Sequence, residues 1–303
     1  MQRLWSSTKS ENVQWRQLVR ISRPLAWLKT AGPFLAGGWL AYGHLTLQLA
    51  LGFIYFLLPY NLALYGASDA YDFTADAHHS RKAGAETTLP GTKRHQLWFW
   101  IIVLNLPFVA YLLLNGNLGS RLWLLFSLVM VAIYGLRGIR LNEIPFVDSI
   151  VSSIHFWSPL VFGTLLGGGS VTYRPALAAF ILWAMATQSF GAIQDLAYDR
   201  AAGVASIATA LRERGTVYFG AICYALAAGL VILGFGTPGL IAGSVMLGYV
   251  LNVLVAGFSA GPPSLRYRRG WKVLQRLNLL VGLIIIVALL IILNPFGHEL
   301  LLH

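Results

Sequence analysis

The sequence predicts an all-α, polytopic integral membrane protein, with about nine transmembrane helices enclosing a central apolar pocket and a polar mouth on the cytoplasmic side. Three observations favour this fold class. Of the 303 residues, 57% are hydrophobic and 11% are charged, and the mean hydropathy is +0.65, whereas soluble domains carry about 25% charged residues. Apolar stretches long enough to cross a bilayer recur along the chain. Basic residues, finally, are concentrated in alternate loops.

The predicted spans follow one another with short connections. A span needs about 20 predominantly apolar residues, and nine stretches meet this need: 25–43, 48–66, 97–115, 121–139, 147–168, 175–193, 216–234, 238–258 and 273–294. Residues 1–24 are polar and basic, so no cleavable signal peptide is expected. Trp15, Leu18 and Val19 share one helical face there, which predicts an interfacial amphipathic arm. Residues 25–303 would then form a single membrane domain.

The basic residues predict the orientation in the membrane. All but two lie in the N-terminal arm or in the loops on the same side, and the exceptions are Arg121 and Arg174. The positive-inside rule therefore places the N-terminus in the cytoplasm and the C-terminus outside. The net charge of +11 is then interpreted as orientation charge facing anionic lipid, not as a nucleic-acid site. Cys223 is the single cysteine and lies inside a span, which excludes a disulfide framework and a thiolate metal site.

Five of the eleven acidic residues fall in two short segments at the cytoplasmic ends of predicted spans. The first acid segment, residues 61–76 (NLALYGASDAYDFTAD), and the second acid segment, residues 194–203 (QDLAYDRAAG), contain Asp69, Asp72, Asp76, Asp195 and Asp199. Spacings of three, four and seven residues align such carboxylates on one helical face. Aligned carboxylates repel one another unless cations lie among them, and Mg²⁺ is the simplest candidate because it binds one or two carboxylates together with substrate phosphates.

A diphosphate is the ligand that this arrangement favours. Mg²⁺ bridging it to carboxylates would neutralise it and make it a good leaving group. Arg81 and Lys82, after the first acid segment, and Arg200, in the second, are candidates to hold its oxygens, and each is equally well explained as an orientation charge. An aqueous mouth above an apolar interior suits a diphosphate head with an isoprenoid tail.

At this point the sequence resembles a known family. The two acid segments are similar to the paired motifs N-D-x-x-D-x-x-x-D and D-x-x-x-D of the UbiA superfamily of intramembrane prenyltransferases, and the resemblance extends over most of the chain. The five aspartates match the acids of these motifs, and Ser68 stands where the family usually has Asn. Within the superfamily, three stretches resemble the carotenoid branch, which includes the lycopene elongases: Tyr65-Gly66, Arg81-Lys82-Ala-Gly84, and the stretch from Arg140 through Asp148 to His155 and Phe156.

The resemblance implies a reaction as well as a fold. The five aspartates would hold Mg²⁺ and an allylic diphosphate such as dimethylallyl diphosphate, whose C–O bond ionises to an allylic cation. A terminal alkene of lycopene or another acyclic carotenoid would attack it, and the resulting tertiary cation would lose a proton or take up water. Enzymes of the carotenoid pathway are then expected among the partners, and nucleic acid is not.

Further candidates are residues near the predicted mouth. Tyr65 and Tyr198, beside the aspartates, would stabilise a cation through their ring faces, although aromatic residues at span ends are usually interfacial. The candidates for contact with substrate are Asn61, Ser68, Tyr134, Arg140, Asp148, His155 and Gln194. Other roles remain open for three of them: a helix–helix hydrogen bond for Asn61, a solvated helix end for Asp148, and a satisfied interhelical hydrogen bond for His155.

Three alternative functions remain. Within the same chemistry, the acceptor would be a quinone, a chlorophyll or a lipid; a carboxylated aromatic acceptor needs a cation beside it, which the sequence cannot place. A cation-coupled transporter is disfavoured because transport sites usually lie near the bilayer midplane, whereas these acids lie at one edge. A non-catalytic partner subunit is disfavoured because it would have no need of two complete acid clusters.

Overall fold

The chain is seen in a computed structural model that describes residues 12–76, 93–135 and 141–293, and these residues form an α-helical bundle. The helices are α1 (Trp15–Ile21), α2 (Pro24–Tyr42), α3 (Leu47–Leu57), α4 (Pro59–Asp76), α5 (Arg94–Asn115), α6 (Leu118–Gly135), α7 (Val147–Leu166), α8 (Arg174–Ala202), α9 (Ile207–Gly234), α10 (Gly236–Phe258) and α11 (Pro263–Leu293), with a 3-10 turn at Leu141–Glu143. No strand occurs in these ranges. The prediction of an all-α fold is confirmed.

Six helical segments in the described ranges are long and apolar enough to cross a membrane. They are Leu47–Ala70, which joins α3 to most of α4, and α5, α7, α8, α9 and α10; Leu118–Tyr134 is a shorter apolar helix. The described parts of the nine predicted spans are largely helical, and the second span is divided between α3 and α4, but the count of nine spans stays a prediction. The chain is an integral membrane protein.

Two parallel helices, α2 and α7, pack closely against each other. The Lys29 ammonium of α2 lies 5.8 Å from the ring centre of Phe156 on α7. Further along both helices, a Cβ atom placed on Gly163 would lie 2.7 Å from the backbone nitrogen of Gly38. Contacts that advance in the same direction on both helices show that the two run parallel. The glycines allow the two backbones to touch, which is the usual way in which membrane helices pack closely.

The parallel pair brings several helix ends to one end of the bundle, called here the acid end. Arg23, just before α2, donates to Asp69 near the end of α4. Asp148, in the first turn of α7, accepts a hydrogen bond from the backbone nitrogen of Ile207, the first residue of α9. Since α9 directly follows α8, the end of α8 with Asp199 lies there as well. Both acid segments therefore lie at the same end.

The last three helices are also joined at the acid end. Arg266 of α11 donates to the carbonyl oxygens of Ala256 and Gly257 at the end of α10 and, over 2.8 Å, to the Glu213 carboxylate of α9. The Tyr267 hydroxyl donates to the same Glu213 oxygen over 2.8 Å. Burial raises the pKa of the Tyr267 phenol, so the hydroxyl keeps the proton that it donates. These contacts fix the C-terminal helices around the second acid segment.

Two hydrophobic cores support the acid end. The N-terminal core is built from α1 to α6 and the second half of α7, and its buried rings include Phe34, Phe56, Tyr60 and Phe162. The C-terminal core is built from α8 to α11. The predicted arm is represented by α1, which packs on α4 and buries Leu18 and Ile21 while Trp15 stays exposed; its membrane-surface role stays a prediction.

Candidate functional site

The first acid segment is held by an arginine that precedes the first long helix. Asp69 is half-buried, and its Oδ1 accepts a hydrogen bond from Arg23 Nη2 over 3.2 Å. The Arg23 guanidinium also lies 4.3 Å from the ring centre of Tyr65. Tyr65 comes one turn before Asp69 on α4, so both side chains lie on the face that meets Arg23. The predicted site residues Tyr65 and Asp69 therefore both contact the Arg23 guanidinium.

Arg23 is a candidate site residue that sequence reasoning missed, because it was counted among the orientation charges. Its backbone has φ +54°, in the left-handed region that non-glycine residues seldom adopt. This conformation turns the chain at the entry to α2, where Pro24 occupies the first helical position. The signal available in the sequence was a basic residue directly before a proline that opens an apolar span.

The second acid segment ends α8 at a tight corner. Asp195 and Asp199 lie one turn apart and are half-buried. Asp199 Oδ2 accepts a hydrogen bond from the Ser206 hydroxyl over 3.3 Å. Ser206 caps α9 in a reciprocal arrangement with Thr209, and Gly203, with φ +68°, ends α8. The Ser206 hydroxyl and the Gly203 turn therefore join Asp199 to the α8–α9 corner.

The other residues predicted in the second acid segment differ in exposure. Tyr198 is half-buried and Arg200 is exposed. The Nε2 of Gln194 is buried without a hydrogen-bond partner among the described residues. All three lie at the end of α8, and their predicted roles toward substrate stay predictions.

Two predicted substrate contacts have structural partners. Asp148 is buried; its Oδ1 accepts from the backbone nitrogen of Ser149 over 2.7 Å, and its Oδ2 accepts from that of Ile207 over 2.8 Å. Asn61 is fully buried, and its amide donates over 2.8 Å to the Thr30 hydroxyl of α2 and to the Phe56 carbonyl. Both side chains therefore hold helices together, and their contact with substrate stays a prediction.

His155, on α7, lies farther from the acid end than Asp148 and faces α4 and α6. Its Nδ1 forms a hydrogen bond of 2.9 Å with the Tyr60 hydroxyl, and its ring meets Tyr134 edge to face with centres 5.2 Å apart. The side chain is 2% exposed, and Nε2 has no hydrogen-bond partner among the described residues. The predicted residues Tyr134 and His155 thus form one cluster, and Tyr60 is an addition to the predicted set.

A second missed residue is Lys29, which joins the two halves of the bundle. Its ammonium lies 5.8 Å from the ring centre of Phe156 on α7 and 5.7 Å from that of Trp271 on α11. A Cβ atom placed on Gly191 would lie 3.5 Å from the Trp271 ring, so this ring packs against α8 one turn before Asp195. Lys29 was counted as an orientation charge because no sequence pattern shows which rings surround it.

Some predicted site residues lie outside what the structure describes. These are the side chains of Asp72 and Asp76, on the last turns of α4, and Arg81, Lys82 and Arg140. Ser68 is half-buried on α4 beside Asp69. Within the described part, no group of three His, Cys, Asp or Glu side chains is placed to hold a metal ion. The donor chemistry nevertheless fits Mg²⁺, because the acid end offers carboxylate oxygens and Asp69 already binds a cationic guanidinium.

Comparison with known sequences points to one family. The model of the UbiA prenyltransferase family matches residues 30–280. A lycopene elongase/hydratase of Corynebacterium glutamicum is 36% identical over 280 residues, which cover 91% of this chain and 97% of that protein. A C(50) beta-cyclic carotenoids biosynthesis protein, LbtBC, of Dietzia sp. (strain CQ4) is 37% identical over 264 residues, or 86% of this chain. The match spans 61% of the Dietzia protein's length.

Solved structures share the fold. A UbiA homolog from Archaeoglobus fulgidus bound to DMAPP and Mg2+ superposes with a TM-score of 0.65 at 16% identity, covering 89% of this chain and 99% of that one. The apo structure of a UbiA homolog from Aeropyrum pernix K1 superposes with a TM-score of 0.62 at 19% identity, covering 92% and 98%. At these identities the likeness concerns the architecture of the bundle.

Proposed function

Because the chain belongs to the UbiA prenyltransferase family, we propose that this membrane enzyme transfers a dimethylallyl group from dimethylallyl diphosphate to a terminal alkene of lycopene or another acyclic carotenoid. The observation that carries the proposal is the meeting of both acid segments at one end of the bundle, above two apolar cores. The similarity to the Corynebacterium lycopene elongase/hydratase supports the choice of a carotenoid acceptor.

Arg23 is proposed to bind the donor diphosphate. Its guanidinium is paired with Asp69 in the structure, and a diphosphate offers more negative charge than one carboxylate. Guanidinium groups bind phosphate oxygens through two parallel hydrogen bonds. We expect Arg23 to exchange part of its contact with Asp69 for the diphosphate, while the Tyr65 ring keeps it in place.

The aspartates are proposed to hold the metal. Mg²⁺ bound by Asp69, Asp72, Asp76, Asp195 and Asp199 would neutralise the diphosphate and make it a better leaving group. Arg81, Lys82 and Arg200 are proposed to add positive charge around the same headgroup. Ser68 and Gln194, beside the aspartates, are proposed to orient it by hydrogen bonds.

The interior is proposed to protect the carbocation. When the donor C–O bond breaks, both electrons leave with the diphosphate, and the remaining allylic cation must be shielded from water until the acceptor alkene attacks. Tyr65 and Tyr198 lie beside the aspartates, and an aromatic face stabilises a cation by about 0.5–2 kcal/mol. The buried rings of the N-terminal core, such as Phe56 and Tyr60, exclude water below them.

The test is expression in a lycopene-producing bacterium followed by mass analysis of the pigments. We expect carotenoids heavier than lycopene by one and two five-carbon units, and purified enzyme should release diphosphate from dimethylallyl diphosphate only with Mg²⁺. An Arg174→Gln variant, changed at the opposite end of α8, serves as the matched control and should behave as the wild type. Unchanged lycopene together with prenylation of a quinone precursor would disprove the carotenoid acceptor and preserve the chemistry.

A second acceptor class is favoured by one observation. The Lys29 ammonium lies between Phe156 and Trp271, and it is a cation of the kind that a carboxylated aromatic acceptor needs. A hydrocarbon acceptor does not need it. A Lys29→Met variant separates the two: it should lose transfer to a carboxylated aromatic compound if that is the acceptor, and it should retain transfer to lycopene otherwise.

The orientation and partners are also proposals. We place the acid end in the cytoplasm because the loops at this end carry nearly all the Lys and Arg residues. The N-terminus then lies in the cytoplasm and the C-terminus outside. Enzymes that make or modify acyclic carotenoids are the proposed partners. Labelling of single cysteines placed at position 214 or 121 with a membrane-impermeant reagent tests the orientation, and labelling of 214 from outside would contradict it.

A further inference from the structure

His155 carries a buried nitrogen atom that the structure leaves without a hydrogen bond. The side chain is 2% exposed, Nδ1 is bonded to the Tyr60 hydroxyl over 2.9 Å, and Nε2 has no partner among the described residues. Leaving a buried polar atom unsatisfied costs about 1–3 kcal/mol, and ionisable groups inside membrane segments are usually functional. An apolar residue at this position would pack without that penalty.

His155 lies at a depth in the bundle that suits a role in the last step of the proposed reaction. It comes seven residues after Asp148 on α7, which is about 10 Å along a helix, and Tyr60 comes nine residues before Asp69 on α4, about 13 Å. We take this depth to match a five-carbon unit and the terminal isoprene unit of an acceptor extending inward from a diphosphate at the acid end. The new tertiary cation would then form close to the level of His155.

The surroundings make His155 a suitable proton acceptor for that cation. Tyr60 is fully buried, with its ring centre 4.9 Å from Phe56 and 5.9 Å from Tyr55, and Tyr134 lies edge to face against the imidazole. These rings limit the access of water, so a nearby basic nitrogen favours removal of a proton over addition of water. Neutral imidazole has one nitrogen able to accept it.

We propose that His155 is the base that ends the reaction, by taking a proton from the carbon next to the tertiary cation, and that Tyr60 positions it. This inference rests on the proposed function. The C–H bond breaks, its electron pair forms the new carbon–carbon double bond, and the proton moves to Nε2. In the reactive tautomer Nδ1 carries a hydrogen that it donates to the Tyr60 oxygen, so the imidazolium that results keeps the same hydrogen bond. Proton removal then competes with addition of water to the same cation.

The experiment compares two amide variants of His155 in the full-length enzyme. His155→Asn keeps a group able to bond Tyr60 and removes the Nε2 position, whereas His155→Gln keeps a polar group near Nε2 that cannot accept a proton. Diphosphate release and the carotenoid products are measured together. We expect the rate of diphosphate release to stay within about threefold of the wild type. The amount of alkene product per diphosphate released should fall by about tenfold or more, and the amount of hydroxylated product should increase.

Tyrosine variants keep the proposal testable if both His155 variants fail to fold. Tyr60→Phe should lower the proportion of alkene product, whereas Tyr55→Phe, which removes a buried hydroxyl without a described partner in the same ring cluster, should leave it unchanged. An unchanged product ratio in active His155 variants or in active Tyr60→Phe, or a wild-type product that is wholly hydroxylated, would overturn the assignment. Absence of any elongated carotenoid from the wild type would instead overturn the proposed function.

Discussion

The two acid segments lie at the same end of the bundle, and each is joined there to a different part of the chain. Asp69 of the first acid segment accepts a hydrogen bond from the Arg23 guanidinium, which is also stacked on Tyr65. Asp199 of the second accepts one from the Ser206 hydroxyl. Beside Ser206, the backbone nitrogen of Ile207 donates to Asp148 of α7. The first segment is thus joined to the residue that precedes α2, and the second is joined to the N-terminal cap of α9.

This difference indicates which segment responds to the donor. A guanidinium can move from a carboxylate to a diphosphate, because both are anions that it binds with the same geometry. The Ser206 hydroxyl caps α9 and also donates to Asp199, so a shift of Asp199 would disturb the start of α9. We therefore expect the first acid segment to rearrange when the donor binds and the second to act as a rigid support.

The largest expected effect comes from removing one carboxylate from either segment. Asp72→Ala and Asp195→Ala should each reduce diphosphate release by about a thousandfold or more, because each removes a charge that stabilises the leaving group. Both variants should still insert and elute as folded protein. Size-exclusion chromatography in detergent, combined with the release assay, measures this, and full activity in both variants would remove the site assignment.

A smaller effect is expected at Arg23, and it tests whether the first segment responds to the donor. Arg23→Gln removes a charge-assisted hydrogen bond of about 1.5–3 kcal/mol, so KM for dimethylallyl diphosphate should rise about 10- to 100-fold. Arg23→Lys keeps the positive charge but lacks the planar guanidinium group. Its KM for dimethylallyl diphosphate should lie between those of the wild type and Arg23→Gln. Steady-state kinetics at saturating Mg²⁺ provide the measurement. Equal KM values for all three proteins would show that Arg23 acts only on Asp69.

Asp148 tests whether the second segment is a rigid support. Asp148→Ala leaves the buried nitrogen of Ile207 without an acceptor, which should lower stability by about 1–3 kcal/mol. Asp148→Asn keeps an acceptor oxygen and should lose less. The measurement is the midpoint of thermal unfolding of the protein in detergent. If Asp148→Ala is as stable as the wild type but has a higher KM for the acceptor, the Asp148 side chain binds substrate instead.

The smallest effect is expected at Ser206. Ser206→Ala removes the cap of α9, worth about 1 kcal/mol, and a long hydrogen bond to Asp199. Diphosphate release should change by less than about threefold, because uncharged hydrogen bonds contribute little. Ser206→Thr keeps the hydroxyl and is the control. A loss of activity as large as that of Asp195→Ala would show that the corner orients the metal-binding carboxylates directly.

Much of this molecule could be predicted from local patterns. Hydropathy predicted the membrane fold, and the paired aspartates predicted the family and its prenyltransferase activity, all of which are confirmed. The same patterns could not identify Arg23 or Lys29 as candidate site residues, since a basic residue near the end of a span is equally well explained as an orientation charge. Nor could they show that the Asn61 and Asp148 side chains join helices, because periodicity reveals the face of a helix and not the neighbour that covers it.

The sequence by itself determined the class of environment and the chemistry of the acid segments, because these depend on composition and on residues within a few helical turns. Tertiary structure decided what each acid contacts. Arg23 meets Asp69 across 46 positions, and Ile207 meets Asp148 across 59. The close parallel packing of α2 on α7, which Gly38 and Gly163 permit, brings both contacts to the same end of the bundle. Such contacts arise from packing between distant segments, and packing is a property of the whole bundle.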